Sequence, residues 1–217
     1  MNSQRWWDFT KESFQAEQWQ LAEGALRRLL ELHPANPELL DLLSHTLLMQ
    51  GRHSEAESVL LMALQQETYN FWTPHKLGDA LRGQQRLSEA AEAYEQSLNR
   101  GSTSPLTPRN LLQVLDQLDA AKAIEKLEYW HQQTEFCQWK DLQPWQIGAC
   151  DAALLSAGPE IANWLINNGC DHPEIRQIAI REAAAKLNIE TSFSLAEDAL
   201  KERLGKLLQL PQLMISG

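Results

Sequence analysis

Small and bulky positions recur along the first half of the chain at a fixed interval. Ala22, Ala56 and Ala90 are spaced thirty-four positions apart, and each is followed four positions later by Leu26, Leu60 or Tyr94 and three further on by Leu29, Ala63 or Ser97. Steps of four and three put these positions on one face of a helix. Upstream of each set lies a second stripe: Trp6, Phe9 and Thr10; Leu40, Leu43, Ser44 and Leu47; Leu77, Gly78 and Leu81. Each interval therefore predicts two helices, whose small residues let the paired axes approach while the bulky ones fill the groove to the next pair.

The punctuation supports the same organisation, with Thr73 and Thr107, and Ser54 and Ser88, again thirty-four positions apart. Asn36-Pro37, Thr73-Pro74 and Thr107-Pro108 predict an N-cap residue followed by proline at the first helical position, where the missing N–H costs nothing. Ser54 and Ser88 predict caps for two second helices. The last proline pair carries the register into a fourth first helix with Leu111 and Leu115 on its apolar face, and Ala120–His131 predicts the helix that pairs with it. From Trp130 to Trp139 no turn is evident. Trp145 and Pro173, twenty-eight positions apart, then suggest a fifth, degenerate unit at about 142–175, although Gly148 and Ile161 stand where a leucine and an alanine are expected. Asp171-x-x-Glu174 and Ser194-x-x-Glu197 predict capping boxes. Leu195, Ala199, Leu200, Leu204, Leu207 and Leu208 form a last apolar stripe before Pro211, expected to cover the preceding helix pair.

This period, with its small, bulky and proline positions, resembles the tetratricopeptide repeat family in three units at about 3–36, 37–70 and 71–104. Ser13 replaces a usual tyrosine, Pro74 a tryptophan and Ser102 the closing proline. The resemblance implies an all-α, right-handed solenoid of antiparallel helix pairs. In it residues 105–175 continue as degenerate pairs and 176–217 cap one continuous stack. It also implies that ligands lie against the first helices. Carried over by register, that face comprises Trp7, Lys11 and Phe14; Asp41, His45 and Met49; Trp72, His75, Lys76, Asp79 and Arg82; and, from the fourth first helix, Arg109, Asn110 and Gln113. Some family members clamp a C-terminal carboxylate there, but Trp7 and Leu42 occupy positions where that clamp needs a lysine and an asparagine.

Charge narrows the functional classes. The formal net charge is −10, with residues 1–104 and 105–217 each contributing −5, and no Lys/Arg cluster offers a phosphate backbone a foothold, which argues against nucleic acid. Neither the first residues, Met-Asn-Ser-Gln-Arg-Trp-Trp-Asp, nor any later stretch has the apolar run of a leader or a membrane span, so a cytoplasmic chain is expected. Cys137, Cys150 and Cys170 form an odd set with no Cys-x-x-Cys, read as reduced thiols. Cys170-Asp171-His172 could be half of a metal site or a thiol–imidazole pair, yet the remaining cysteines lack zinc-ligand spacing, and no phosphate loop or nucleophile motif is present. Neither cofactor, metal nor enzymatic activity is expected. The leading reading is an adaptor or assembly factor holding a protein segment with an acidic portion and an apolar anchor. The alternatives are the non-catalytic scaffold region of a glycosyltransferase- or sulfotransferase-type system, and a self-assembling scaffold that forms a homo-oligomer.

Overall fold

The small-residue crossings predicted from the interval are fully closed to solvent. In the computed structural model, which describes residues 3–66, 70–134, 142–156 and 158–186, Ala22, Ala56, Ala90, Leu26, Leu60 and Tyr94 are all fully buried, and Leu29, Ala63 and Ser97 nearly or fully so. The fold is all-α. The described helices are α1 (Ser3–Gln15), α2 (Trp19–Leu32), α3 (Pro37–Met49), α4 (His53–Leu64), α5 (Trp72–Gly83), α6 (Leu87–Asn99), α7 (Leu106–Leu118), α8 (Ala120–Gln133), α9 (Pro144–Leu155), α10 (Glu160–Asn167) and α11 (Pro173–Lys186). The chain divides into two compact units, Met1–Thr107 and Pro108–Gly217.

In the first unit every helix packs on its neighbours in the chain, and α3 also meets α5, so these two first helices of successive pairs lie side by side. The turns inside the pairs repeat as faithfully as the core does. Glu17, Gly51 and Gln85, related by the same interval, all take positive φ, at 52°, 70° and 61°. Each is followed by a residue whose N–H reaches back to the first helix: Gln18 to the Ser13 carbonyl (2.8 Å), Arg52 to Leu47 and Arg86 to Leu81 (both 3.0 Å). This is the closure by which a left-handed residue satisfies the last carbonyls of a helix.

A second periodic device ties one pair to the next. Arg52 donates to Glu23 and Glu55, and Arg86 to Glu57 and Glu89, while Gln50 and Gln84 donate to the same Glu23 and Glu57. Glu23 and Glu57 keep only 12% and 17% of their side-chain surface exposed, so each inter-pair carboxylate is held by several donors rather than by one loose ion pair. Burial alone would raise the Glu23 carboxyl, but hydrogen bonds from Gln50, Arg27 and Arg52 hold it below its usual value.

These contacts explain where the expected caps moved. Asn36 caps α3 as predicted, accepting from the Leu39 N–H at 3.1 Å with Pro37 at the first position. Ser54 and Ser88 are not caps: α4 and α6 start at His53 and Leu87, and Arg52 and Arg86 occupy the cap positions with their side chains committed to glutamates. Nor do Thr73 and Thr107 precede their helices, because α5 begins at Trp72 and α7 at Leu106. Both threonines are buried.

In the second unit α9 and α10 pack as a pair, with α8 and α11 also against α10 and α11 against α9. Leu112, Ala123, Leu127, Ile161, Leu165 and Ile175 form the centre of its core, and Trp130, Trp145 and Trp164 line it. Asp119 caps α8 by accepting from the Ala121 N–H. Asp171 does not form the expected capping box, since α11 begins at Pro173 and the Asp171 carboxylate takes the Arg176 guanidinium instead. Cys137, Trp139, the second capping box and the stripe from Leu195 to Leu208 lie outside the described residues.

Candidate functional site

Side-chain contacts from α1 to α3 and from α3 to α5 bring three of the register-derived groups together. The Phe14 ring stacks on His45 across the α1–α3 boundary, with centroids 5.9 Å apart, and Trp19 meets both rings edge-on at 5.5 and 5.8 Å. One helix further, Lys76 Nζ lies 2.6 Å from Asp41 Oδ2, with 15% and 17% of the two side chains exposed. His45 sits between these features. Partial burial, aided by the Lys76 charge and opposed by Asp41 and Asp79, holds its pKa below 6.5, so the ring is neutral at neutral pH.

Asp79 is the other hub. It accepts from the Tyr94 hydroxyl at 2.7 Å and from Arg82 at 3.4 Å, and His75 Nε2 lies 3.5 Å away. His75 Nδ1 is 2.9 Å from the Thr107 hydroxyl, which in turn meets Ser102 at 3.0 Å. Hydroxyl, imidazole and carboxylate thus stand in the order of a nucleophile triad, but Thr107 is fully buried and His75 is 4% exposed. A nucleophile must meet its substrate, so this chain is a satisfied interior network.

The placement revises the register-derived face. Trp7 and Trp72 are half-buried, and Trp72 packs on Phe71 and His75. Lys11 is exposed and paired with Asp8 within α1 at 3.0 Å; Met49 is 51% exposed. His75 lies in the interior instead of on the groove, held there by Thr107 and by the Tyr94 ring at 5.5 Å. In the second unit Asn110 is likewise buried and accepts from Arg109 Nε at 3.0 Å, while Arg109 and Gln113 are half-buried. Lys76 and Arg82 each have a carboxylate partner within the protein. The Lys76–Asp41 pairing was invisible in the sequence, because it joins residues 35 positions apart in different pairs.

One oxygen in this cluster has unused capacity. Asp41 Oδ1 is shielded from solvent and has no hydrogen-bond partner among the described residues, although Oδ2 is taken by Lys76. A carboxylate oxygen left this way calls for an N–H or O–H donor. Among the described residues no group of three or more His, Cys, Asp or Glu could hold a metal ion, and no helix is long and apolar enough to cross a membrane.

The repeated helix–turn–helix pairs, the left-handed closure inside each pair and the fully buried small crossings define an α-solenoid built of helical-hairpin repeats. Residues 13–68 match the tetratricopeptide repeat family model. Solved structures share the fold at low identity. The crystal structure of MamA aligns with a TM-score of 0.59 at 17% identity, covering 88% of this chain and 96% of that one. Pseudomonas aeruginosa PilF aligns at 0.55 and 18%, covering 94% and 91%. A thermophilic tetratricopeptide repeat protein of Thermus thermophilus aligns at 0.52 and 16%, covering 96% and 100%. No curated protein matches the chain in sequence.

Proposed function

We propose that the chain is a protein-interaction scaffold that holds a segment of another protein against the α1–α3–α5 face and performs no chemistry on it. The observation that carries this reading is the unpartnered Asp41 Oδ1 beside the Phe14–His45–Trp19 rings. An orphaned acceptor next to an aromatic surface suits an apolar anchor followed by a donor, such as the backbone N–H of an extended segment. An acidic portion is no longer required of the ligand, because it would have to displace Asp41 from Lys76 and Asp79 from Arg82. The family match over residues 13–68 supports protein binding in general.

The test is site-directed photocrosslinking in the native cell. A photoreactive residue at Met49, on α3, should give a discrete adduct, and the same residue at Met62, on α4 and comparably exposed at 47%, should not. Adducts at Met62 alone would refute the assignment of the face. An adduct of twice the chain's mass would identify the occupant as a second copy.

A further inference from the structure

Two cysteines from separate parts of the sequence meet inside the second unit. Cys150 lies on α9 among Ala149, Ala152 and Ala153, in the core. Cys170 lies in the connection from α10 to α11, and the two sulfurs are 4.0 Å apart. Both thiols are free and buried. The connection closes α10 with Gly169 at φ 89° and the Cys170 N–H bonded to the Leu165 carbonyl at 2.9 Å. Gly169 and Asp171 are exposed while Cys170 between them is 5% exposed, so the sulfur sits just beneath a surface turn.

We propose that Cys170 is a site of reversible oxidation by peroxide, with Cys150 as its resolving thiol, so that oxidation closes a disulfide between α9 and the α10–α11 connection. A disulfide needs the sulfurs at about 2 Å, a distance that rotation of the two side chains, with a small shift of the glycine-containing turn, can supply. The surroundings of the two sulfurs are unequal. Once Cys170 is ionised the Cys150 thiol is its donor, the His172 backbone N–H donates as well, and the Arg176 charge adds to them; together they outweigh burial and the Asp171 charge and lower the Cys170 pKa. Cys150 is pushed up by the neighbouring Cys170 sulfur and by burial. Cys170, placed in the surface turn beside the His172 N–H and the Arg176 charge while Cys150 lies on α9, is the nucleophile, since the thiolate is the reactive form. Arg176 Nε, buried and without a hydrogen-bond partner among the described residues, adds a donor in the same region for an oxygen bound to sulfur.

The chemistry balances with peroxide as the oxidant. The Cys170 thiolate attacks one peroxide oxygen; an S–O bond forms, the O–O bond breaks, and the departing hydroxide takes a proton to become water. The Cys150 sulfur then attacks the sulfenic sulfur; the S–S bond forms, the S–O bond breaks, and the leaving oxygen takes the Cys150 proton as a second water. Two thiols are oxidised by two electrons and the peroxide is reduced by two.

The test uses the intact, reduced chain exposed to limiting hydrogen peroxide. The alkylatable thiols should fall from three to one, the intact mass should drop by two hydrogens, and peptide mapping should join Cys150 to Cys170, with a dithiol reductant reversing all three changes. In Cys150→Ala, a cyclic diketone probe should trap a sulfenic acid at Cys170. A disulfide through Cys137, irreversible sulfinic acid at Cys170 in the unmutated chain, or thiols that stay inert until the protein is unfolded in urea would each overturn the proposal.

Discussion

Replacing Gln85 with glycine should stabilise the protein, and replacing Gly51 with alanine should destabilise it by a similar amount. The two positions are equivalent in successive repeats and share a left-handed backbone, at φ 61° and 70°. An L-residue in that region costs roughly 1–2 kcal/mol from the crowding of its Cβ. Glycine removes that cost but gives up roughly 0.5–1 kcal/mol of extra chain entropy on folding. The net is about 0.5–1 kcal/mol in favour of glycine at each turn. Side-chain contacts do not obscure the comparison: Gln85 is exposed, and a Cβ built on Gly51 meets nothing within 4 Å, so the cost there is conformational alone. For a chain of this size a change of about 1 kcal/mol moves the melting temperature by about 2–4 °C, within reach of thermal circular dichroism. Hydrogen exchange at the Arg86 amide, bonded to the Leu81 carbonyl at 3.0 Å, would localise the effect to the turn. Loss of stability in Gln85→Gly, or an unchanged Gly51→Ala, would show that the left-handed residues are not where these turns store strain.

Gly78→Ala should destabilise despite alanine's better helix propensity, because its Cβ would lie 2.6 Å from the Tyr94 ring, which is fully buried and cannot retreat; about 1–2 kcal/mol in urea denaturation is expected. For Lys76 and Asp41, a double-mutant cycle with Lys76→Met and Asp41→Ala should return a coupling of about 1–3 kcal/mol, since each single change strands a charge that is largely out of solvent; coupling near zero would mean the pair is loose in solution. His45 has a folded pKa below its unfolded value of 6.5, so its contribution is fully present above pH 6.5 and is lost as pH falls through the folded pKa. Stability should therefore decline below pH 6.5 more steeply in the unmutated chain than in His45→Gln, and identical pH profiles would remove His45 as a cause.

The core was legible because burial there is periodic. Ala22, Ala56 and Ala90 announce a close crossing by size alone, and the same interval leads from Leu26 through Leu60 to Tyr94. The helix starts were less legible, since Ser54 and Ser88 have the composition of caps while the turn is decided elsewhere. With Gly51 and Gln85 left-handed, the following arginine amides close onto the first helix, and the next helix has to begin at once. That geometry also leaves Arg52 and Arg86 beside the glutamates of the preceding pair. A local propensity gave way to a closure that spans the whole turn.

The candidate face was legible as a set of positions but not as a set of charges. Register identifies which side of α3 and α5 turns away from the second helices, and Asp41, His45 and Lys76 do lie together there. It says nothing of which charges cancel, because pairing depends on side-chain reach between helices. Asp41 meets Lys76 and not His75, its equivalent one repeat on, since His75 is drawn inward to Thr107 and Tyr94. Lys76 and Arg82 are thus already matched by carboxylates, and the spare capacity of the face is an acceptor, Asp41 Oδ1. Discrimination by such a face rests on that oxygen: it is already shielded and unpaired in the free protein, so a segment that brings an N–H to it gains a charge-assisted hydrogen bond worth about 1.5–3 kcal/mol, whereas one that brings none gains nothing there.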